Sequence, residues 1–196
     1  MTRGPEVGQT VGVLALQGAF AAHQFALESL GQKTIQVRNL DDLALVDALV
    51  FPGGESTAMS HLLRTSEMFE PISSRLAEGM PAFGTCAGMI MLSTSVIDGR
   101  EDQRSFGVID IDVRRNAYGR QVDSFEMDID VDGLQSPFHA SFIRAPQVVR
   151  CGEGVSVLAN LADSPILVKQ DSVMVAAFHP ELGVDSRIHA MFLEML

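Results

Sequence analysis

Short apolar runs typical of buried strands alternate with helix-like segments through the first 92 residues. The four runs cover residues 11–16, 34–40, 48–54 and 80–86, and the longest helix-like segment covers residues 56–78. Strands that alternate with helices form parallel sheets, because each helix carries the chain back to the end where the next strand begins. This part of the chain therefore predicts an α/β fold with a mostly parallel central sheet and helices on both faces.

The second half of the chain has a different pattern, in which strand-like stretches are joined by short turns. The stretches cover residues 106–113, 123–131, 140–146, 155–161, 165–170 and 172–180. Short turns join antiparallel strands, so we expect an antiparallel extension of the sheet. An amphipathic segment at residues 186–196 predicts a closing helix. No linker or repeat interrupts the pattern, which predicts one domain over residues 1–196.

Charge and cysteine content argue against several classes of protein. The formal net charge of −11 argues against binding to nucleic acid or to an anionic membrane, since both require a basic surface. No apolar run approaches the roughly 18 residues that span a bilayer, and the N-terminus lacks the apolar core of a signal peptide. Two cysteines in 196 residues do not form a disulfide framework, so we expect a cytoplasmic protein with free thiols.

Cys86 lies where a predicted strand turns into a predicted helix, with Gly84 and Gly88 on either side. This pattern is the cysteine version of the nucleophile elbow, a tight turn that exposes the reactive side chain at the carboxyl edge of the sheet. The helix N-terminus favours a thiolate, and the backbone N–H of Ala87 is expected to bind an oxyanion. The alternative is a buried structural cysteine, which is our interpretation of Cys151.

A thiol needs a base to act as a nucleophile at neutral pH. Among the five histidines, His179 ends an apolar run and precedes Pro180, which favours an extended backbone. Alternate side chains of an extended chain point the same way, so Glu181 is expected to orient the His179 imidazole. Cys86, His179 and Glu181 would then form a catalytic triad. The other histidines are interpreted as surface, packing or turn residues: His23, His61, His139 and His189.

Two glycine-rich loops follow the first and third predicted strands. Gly53 and Gly54 let a ligand approach the backbone, whose N–H groups are expected to hold an oxyanion. Gln17 ends the first strand in a similar loop and is expected to support the same crevice. The alternative for the loop after the third strand is a helix-capping turn with Ser56 as the N-cap.

Arg115 and Arg144 also lie at positions where a substrate can be bound. Either guanidinium can pair with a substrate carboxylate, although a solvated surface charge is the alternative for both. Metal binding is a weaker interpretation of the chain, because no pair of cysteines or histidines has the spacing of zinc ligands. We therefore expect no metal site.

These motifs resemble a known family. GTCAG and HPE together resemble the class I, triad-type glutamine amidotransferases, and ALQG, FPGGES, RNAYGRQVDSFE, FIRAP and FHPEL match, in order, the glutaminase subunits of pyridoxal 5′-phosphate synthase. The resemblance implies the flavodoxin-like three-layer sandwich of these enzymes. It also implies that Cys86, His179 and Glu181 are catalytic. Glutamine would be bound by Gly54, Glu55, Ser56, Arg115, Ile143 and Arg144.

The implied reaction is hydrolysis of L-glutamine to L-glutamate and ammonia through a Cys86 glutamyl thioester. The ammonia would pass to a separate synthase subunit within a large hetero-oligomeric complex, which makes pyridoxal 5′-phosphate from a pentose phosphate and a triose phosphate. The resemblance implies no cofactor for this chain, since pyridoxal phosphate is the product. The alternatives are the glutaminase of another biosynthetic pathway, a cysteine hydrolase of a different substrate, and a binding module with a vestigial site.

Overall fold

The structure is a computed structural model that describes residues 8–100, 102–115 and 124–196. The expectations on residues 116–123, which include most of the polar loop after Arg115, lie outside the described residues. The strands are β1 (Thr10–Leu14), β2 (Lys33–Val37), β3 (Ala48–Phe51), β4 (Ala82–Thr85), β5 (Ser93–Val96), β6 (Ile109–Arg114), β7 (Ser124–Ile129), β8 (Phe138–Ile143), β9 (Gln147–Cys151), β10 (Ser156–Leu161), β11 (Ser164–Gln170) and β12 (Val173–Ala176). The helices are α1 (Phe20–Ser29), α2 (Leu40–Leu43), α3 (Ser56–Thr65), α4 (Phe69–Ala77), α5 (Ala87–Leu92), α6 (Arg187–Leu193) and a 3-10 helix (Pro180–Leu182).

Across the described residues, the main sheet has seven strands in the order β10-β11-β12-β4-β3-β1-β2. The five strands from β12 to β2 are parallel, and β11 and β10 continue the sheet with antiparallel pairing. Two smaller sheets, β5-β6-β9 and β7-β8, lie beside it. The predicted mostly parallel sheet with an antiparallel part is therefore confirmed.

The first crossover of the main sheet runs in the opposite direction to the crossovers that follow it. β1 is followed by β2 at one edge, whereas β3 is followed by β4 on the other side of β1. Since such crossovers are right-handed, α1 and α3 lie on opposite faces. Helix α6 packs beside α1, and α5 packs beside α3. Ligand sites of such sheets lie at the carboxyl ends of the strands where the order reverses, which here is the edge beyond β1 and β3.

One continuous cluster of buried hydrophobic residues joins the three sheets. It includes Phe83 of the main sheet, Ile111 of the three-stranded sheet and Phe142 of the two-stranded sheet. Strands β1, β3, β4 and β12 are buried along their whole length, as expected for parallel strands covered on both faces. None of the helices in the described ranges is long and apolar enough to cross a membrane.

The helix predicted over residues 56–78 is in fact two helices, α3 and α4. Between them Glu67 has a φ of 58°, and the N–H of Met68 donates to the carbonyl of Leu63 at 2.9 Å. This is the hydrogen bond of a Schellman motif, which ends a helix through a left-handed residue. That residue is usually glycine, so a glutamate gave no signal of the break. Burial of Met68 in the core holds the turn in place.

Candidate active site

The carboxyl ends of four parallel strands bring the predicted site residues together. β1 leads to Gln17, β3 to Gly53, β4 to Cys86 and β12 to His179. Because these four strands are consecutive and parallel in the sheet, the loops that follow them meet at one edge. Residues far apart in sequence thus form one site.

Cys86 occupies a sharp corner between β4 and α5, with a φ of 48° and a ψ of −103°. A positive φ is uncommon for a residue with a side chain and is found preferentially at functional sites. The flanking glycines serve another purpose, since neither Gly84 nor Gly88 has a positive φ. A Cβ on Gly84 would lie 2.6 Å from the carbonyl carbon of Gly88, and one on Gly88 would overlap the carbonyl oxygen of Phe51. The two glycines are therefore needed at this turn because a side chain at either position would clash with the neighbouring backbone.

His179 and Glu181 are joined by a short hydrogen bond. Nδ1 of His179 lies 2.8 Å from Oε1 of Glu181, and both residues are buried. The geometry differs from the expected extended chain, since Glu181 lies in the 3-10 helix that Pro180 begins. Proline favours the first position of a helix because its φ is already helical. The His179 backbone N–H donates to the carbonyl of Ser141 at 2.8 Å, which ties this corner to β8.

The electrostatics of the cluster favour a charged pair. Burial opposes the protonated His179 ring, but its hydrogen bonds to Cys86 and Glu181 outweigh burial and raise the pKa of His179 to about 10. Burial also opposes ionisation of Glu181, but His23 and His179 hold its pKa below the usual range. An imidazolium beside a thiol stabilises the thiolate, which is the nucleophilic form. The arrangement can therefore support attack by Cys86 on a carbonyl carbon.

A cavity of about 210 Å³ opens over Cys86 and His179. This volume is below the roughly 300 to 1,000 Å³ of sites for drug-sized ligands, which suits a ligand the size of one amino acid. Every residue expected to bind glutamine lines it, together with Ile90, which the sequence did not single out. The expected residues are Gly54, Glu55, Ser56, Arg115, Ile143 and Arg144.

Arg115, one of the two predicted site arginines, is held in place by Gln103. The Arg115 guanidinium donates to Oε1 of Gln103 at 2.7 Å and to Oγ1 of Thr57 at 3.1 Å. Gln103 in turn donates to the Ser56 hydroxyl at 3.1 Å. Sequence reasoning missed Gln103, because a lone glutamine in a polar loop carries no pattern.

The N-cap of α3 is Glu55 and not Ser56. The Glu55 carboxylate accepts hydrogen bonds from the backbone N–H groups of Thr57 and Ala58 at 2.9 and 2.7 Å. Burial opposes this negative charge, but these bonds and the nearby Arg115 hold the pKa of Glu55 below its ordinary value. Since its carboxylate caps the helix, Glu55 contributes to the cavity as part of its wall.

Gln17 and the two loop glycines fit closely around His179. The Gln17 amide donates to the Glu55 carbonyl at 3.2 Å and accepts from the Glu55 N–H at 3.3 Å, so it braces the loop. A Cβ on Gly53 would overlap Cε1 of the His179 ring, and one on Gly54 would lie 2.7 Å from the Gln17 amide. Ala87 opens α5 directly after the cysteine. The oxyanion role of Gly53, Gly54 and Ala87 stays a prediction.

The remaining histidines and the second cysteine differ in their exposure. His61 and His139 are exposed, and His139 lies in β8 instead of the expected turn. His23 and His189 are fully buried and lie behind Glu181 of the predicted triad, a proximity that no local sequence pattern indicates. Cys151 is a half-buried free thiol at the end of β9. Within the described ranges no group of histidine, cysteine or acidic side chains is arranged to hold a metal ion.

Comparison with known proteins identifies the family. The sequence profile of the SNO glutamine amidotransferase family matches residues 13–196. The pyridoxal 5′-phosphate synthase subunit PdxT of Mycobacterium sp. (strain KMS) is 56% identical, covering 95% of this chain and 92% of its own. That of Thermosipho africanus is 52% identical, covering 95% of this chain and 98% of its own.

Solved structures agree with this assignment. A crystal structure of a glutamine amidotransferase is 48% identical, with a TM-score of 0.88, and the match covers 94% of this chain and 97% of that one. A chain in the structure of PurLQS from Thermotoga maritima shares the fold, at 15% identity and a TM-score of 0.64, over 95% of this chain and 97% of its own. The resemblance found in the sequence motifs is thereby confirmed: the chain belongs to the SNO glutamine amidotransferase family.

Proposed function

We propose that this chain is the glutaminase subunit of a pyridoxal 5′-phosphate synthase, with Cys86 as its nucleophile. The observation that carries the proposal is the small cavity in which Cys86, His179 and two arginines face one space. Similar proteins that match nearly the whole chain are named subunits of that synthase. The continuous core supports treating residues 1–196 as one glutaminase domain.

The reaction begins with attack of the Cys86 thiolate on the side-chain amide carbon of glutamine. The carbonyl electrons move to oxygen, and backbone N–H groups of Ala87 and the Gly53-Gly54 turn hold this oxyanion. When the carbonyl re-forms, the C–N bond breaks and the nitrogen takes the proton of the His179 imidazolium. Ammonia leaves, and a glutamyl thioester remains on Cys86.

Water completes the cycle. The neutral His179 takes a proton from a water molecule, whose oxygen attacks the thioester carbon. Collapse of this second tetrahedral intermediate releases glutamate and returns the Cys86 thiolate beside a protonated His179. Glu181 stays ionised throughout and holds the His179 ring through the 2.8 Å hydrogen bond to Nδ1.

The partner and the setting are part of the proposal. Ammonia is mostly protonated at neutral pH and is then no nucleophile, so it must reach its acceptor before it equilibrates with water. Among the described residues, one cavity contains a nucleophile with a base beside it. This supports the proposal that the ammonia acceptor is bound by a separate synthase subunit in a hetero-oligomeric complex. A reducing compartment such as the cytoplasm keeps the free thiols of Cys86 and Cys151 available.

Ammonia and glutamate release from glutamine, measured with and without the synthase subunit of the complex, tests this function. We expect release that increases in the presence of the partner. Glutamine should also protect Cys86 from alkylation by iodoacetamide, while the half-buried Cys151 stays as reactive as before. Absence of release under both conditions, without protection of Cys86, would instead favour a cysteine hydrolase of another substrate.

Replacement of Arg115 by methionine should raise the KM for glutamine by roughly 10- to 100-fold, the value of one hydrogen bond to a charged group. Arg115 lines the cavity but makes no contact with the triad in the described residues, so kcat should change much less. Steady-state kinetics in the complex measure both constants. Arg104→Met is the matched control, since Arg104 pairs with Glu70 on the surface. An unchanged KM in Arg115→Met would exclude Arg115 as a glutamine ligand.

A further inference from the structure

The second oxygen of the Glu181 carboxylate faces a buried histidine. Oε1 accepts from His179, whereas Oε2 is buried without a hydrogen-bond partner among the described residues. Nε2 of His23 lies 3.5 Å from Oε2, and both side chains are fully buried. An unpartnered buried carboxylate oxygen is costly, so the identity of the atom that faces it matters.

His23 makes two further contacts, which constrain where its proton lies. Its Nε2 lies 3.0 Å from the Thr85 hydroxyl, and its Nδ1 lies 2.9 Å from Nε2 of His189. Two ring nitrogens at this distance share one proton, so one ring donates and the other accepts. His189 Nδ1 has no partner in the described part of the chain.

Only one of the two proton arrangements satisfies these contacts. If His23 donated to His189, a bare nitrogen of His23 would face the Glu181 carboxylate, and His189 would carry a buried N–H without an acceptor. If His189 donates to His23, the His23 Nε2–H points toward Glu181 and Thr85. Among the described contacts, the only unpaired ring atom is then Nδ1 of His189, which carries a lone pair and no proton. Burying this lone pair costs less free energy than the first arrangement does.

Both rings are neutral donors and not cations. Burial lowers the pKa of His23, with Glu181 opposing and His179 adding to this effect. Burial likewise lowers the pKa of His189 to about 3. The rings pack edge-on against Phe83, at ring-centre distances of 6.1 Å for His23 and 5.7 Å for His189. Phe83 thus contacts one ring from α1 and one from α6, and this apolar contact fixes the orientation of both imidazoles.

We propose that His23, oriented by His189, is a positioning residue of the triad: its Nε2–H holds the outer oxygen of Glu181, so that the carboxylate stays ionised and aimed at His179. This inference rests on the proposed glutaminase function for its effect on turnover. The chain of contacts from His189 through His23, Glu181 and His179 to Cys86 therefore connects α6 and α1 to the nucleophile.

The test compares His23→Leu, which removes the donor, with His23→Gln, whose side-chain amide can place an N–H near the position of Nε2. Loss of the donor disfavours the ionised Glu181, which weakens the imidazolium of His179 and so the Cys86 thiolate. In His23→Leu the pH midpoint of Cys86 alkylation by iodoacetamide should therefore move upward by about one unit. Its kcat in the complex should fall roughly 10- to 100-fold.

His23→Gln should restore the midpoint and most of kcat, and His61→Leu, on the exposed face of α3, should resemble the unaltered protein. If His23→Leu does not fold, His189→Leu removes only the donor to His23 and should produce a smaller upward shift. An unchanged or lowered midpoint, or equal damage in His23→Gln, would overturn the proposal. Alkylation does not require glutamine turnover, so a shifted midpoint without ammonia release in the unaltered protein would refute the glutaminase function and not the positioning role.

Discussion

Cys86→Ala is expected to lower glutamine hydrolysis by about 10⁴-fold or more, on the scale seen when a nucleophile is removed from a catalytic triad. No other group among the described residues of the cavity can form the thioester. The Ser56 hydroxyl also lines the cavity, but it is engaged by Gln103 and has no base beside it. Alanine keeps the Cβ of cysteine, so the corner with its φ of 48° carries no new strain. Ammonia release in the assembled complex measures the loss.

Cys151→Ala is the matched control for this experiment. Cys151 is a free cysteine at the end of β9, and burial raises the pKa of its thiol, which makes it a poor nucleophile. Its replacement should leave turnover unchanged. Binding of glutamine to Cys86→Ala, followed by calorimetry, should persist, because the arginines of the cavity remain. Turnover above about one per cent in Cys86→Ala would contradict a covalent mechanism through this residue.

Gly53→Ala is expected to reduce kcat by about 100-fold or more while the protein remains folded. A Cβ at this position would overlap Cε1 of His179 and would lie 3.0 Å from its Nδ1. The φ of Gly53 is not positive, so alanine adds no backbone strain and the change acts through the ring. Displacement of a catalytic group by about 1 Å can cost about 10² in rate. Steady-state kinetics and thermal unfolding of the same preparation separate an effect on catalysis from an effect on stability.

Gly183→Ala offers the same substitution without the collision. Gly183 follows the 3-10 helix that carries Glu181, and the nearest atom to an added Cβ lies 3.8 Å away. Its kcat should match that of the unaltered protein. If Gly53→Ala also turned over normally, the ring of His179 would have room to adjust, and the close fit of the loop would not be required for catalysis.

The main strands and the proposed triad are predictable because their signals are local. β1, β3, β4 and β12 are continuous apolar runs, since both of their faces are covered. The short motif around Cys86 indicates a nucleophile, and the sequence His-Pro-Glu indicates its partners; each signal lies within a few residues. Because the carboxyl ends of parallel strands meet at one edge of a sheet, the two motifs are expected to lie close together even though the strand order is not predicted.

Contacts between distant segments carry no such signal, and these were missed or misread. The break at Glu67 depends on burial of Met68, and the glycines beside Cys86 are needed because Phe51 packs against one of them. Gln103 is 12 residues from Arg115, in a loop without a pattern. The sequence also placed Glu181 in an extended chain, where Pro180 instead begins a 3-10 helix.

The sequence by itself therefore determined the class of fold, the family resemblance, and a candidate nucleophile with its expected partners, since these depend on periodicity and on short motifs. Only the tertiary structure decided what surrounds them. His23 and His189 are 166 residues apart, and each reads as an ordinary helical residue in its own segment. Packing of α1 against α6 brings them together behind Glu181, and burial in that apolar setting disfavours their charged forms.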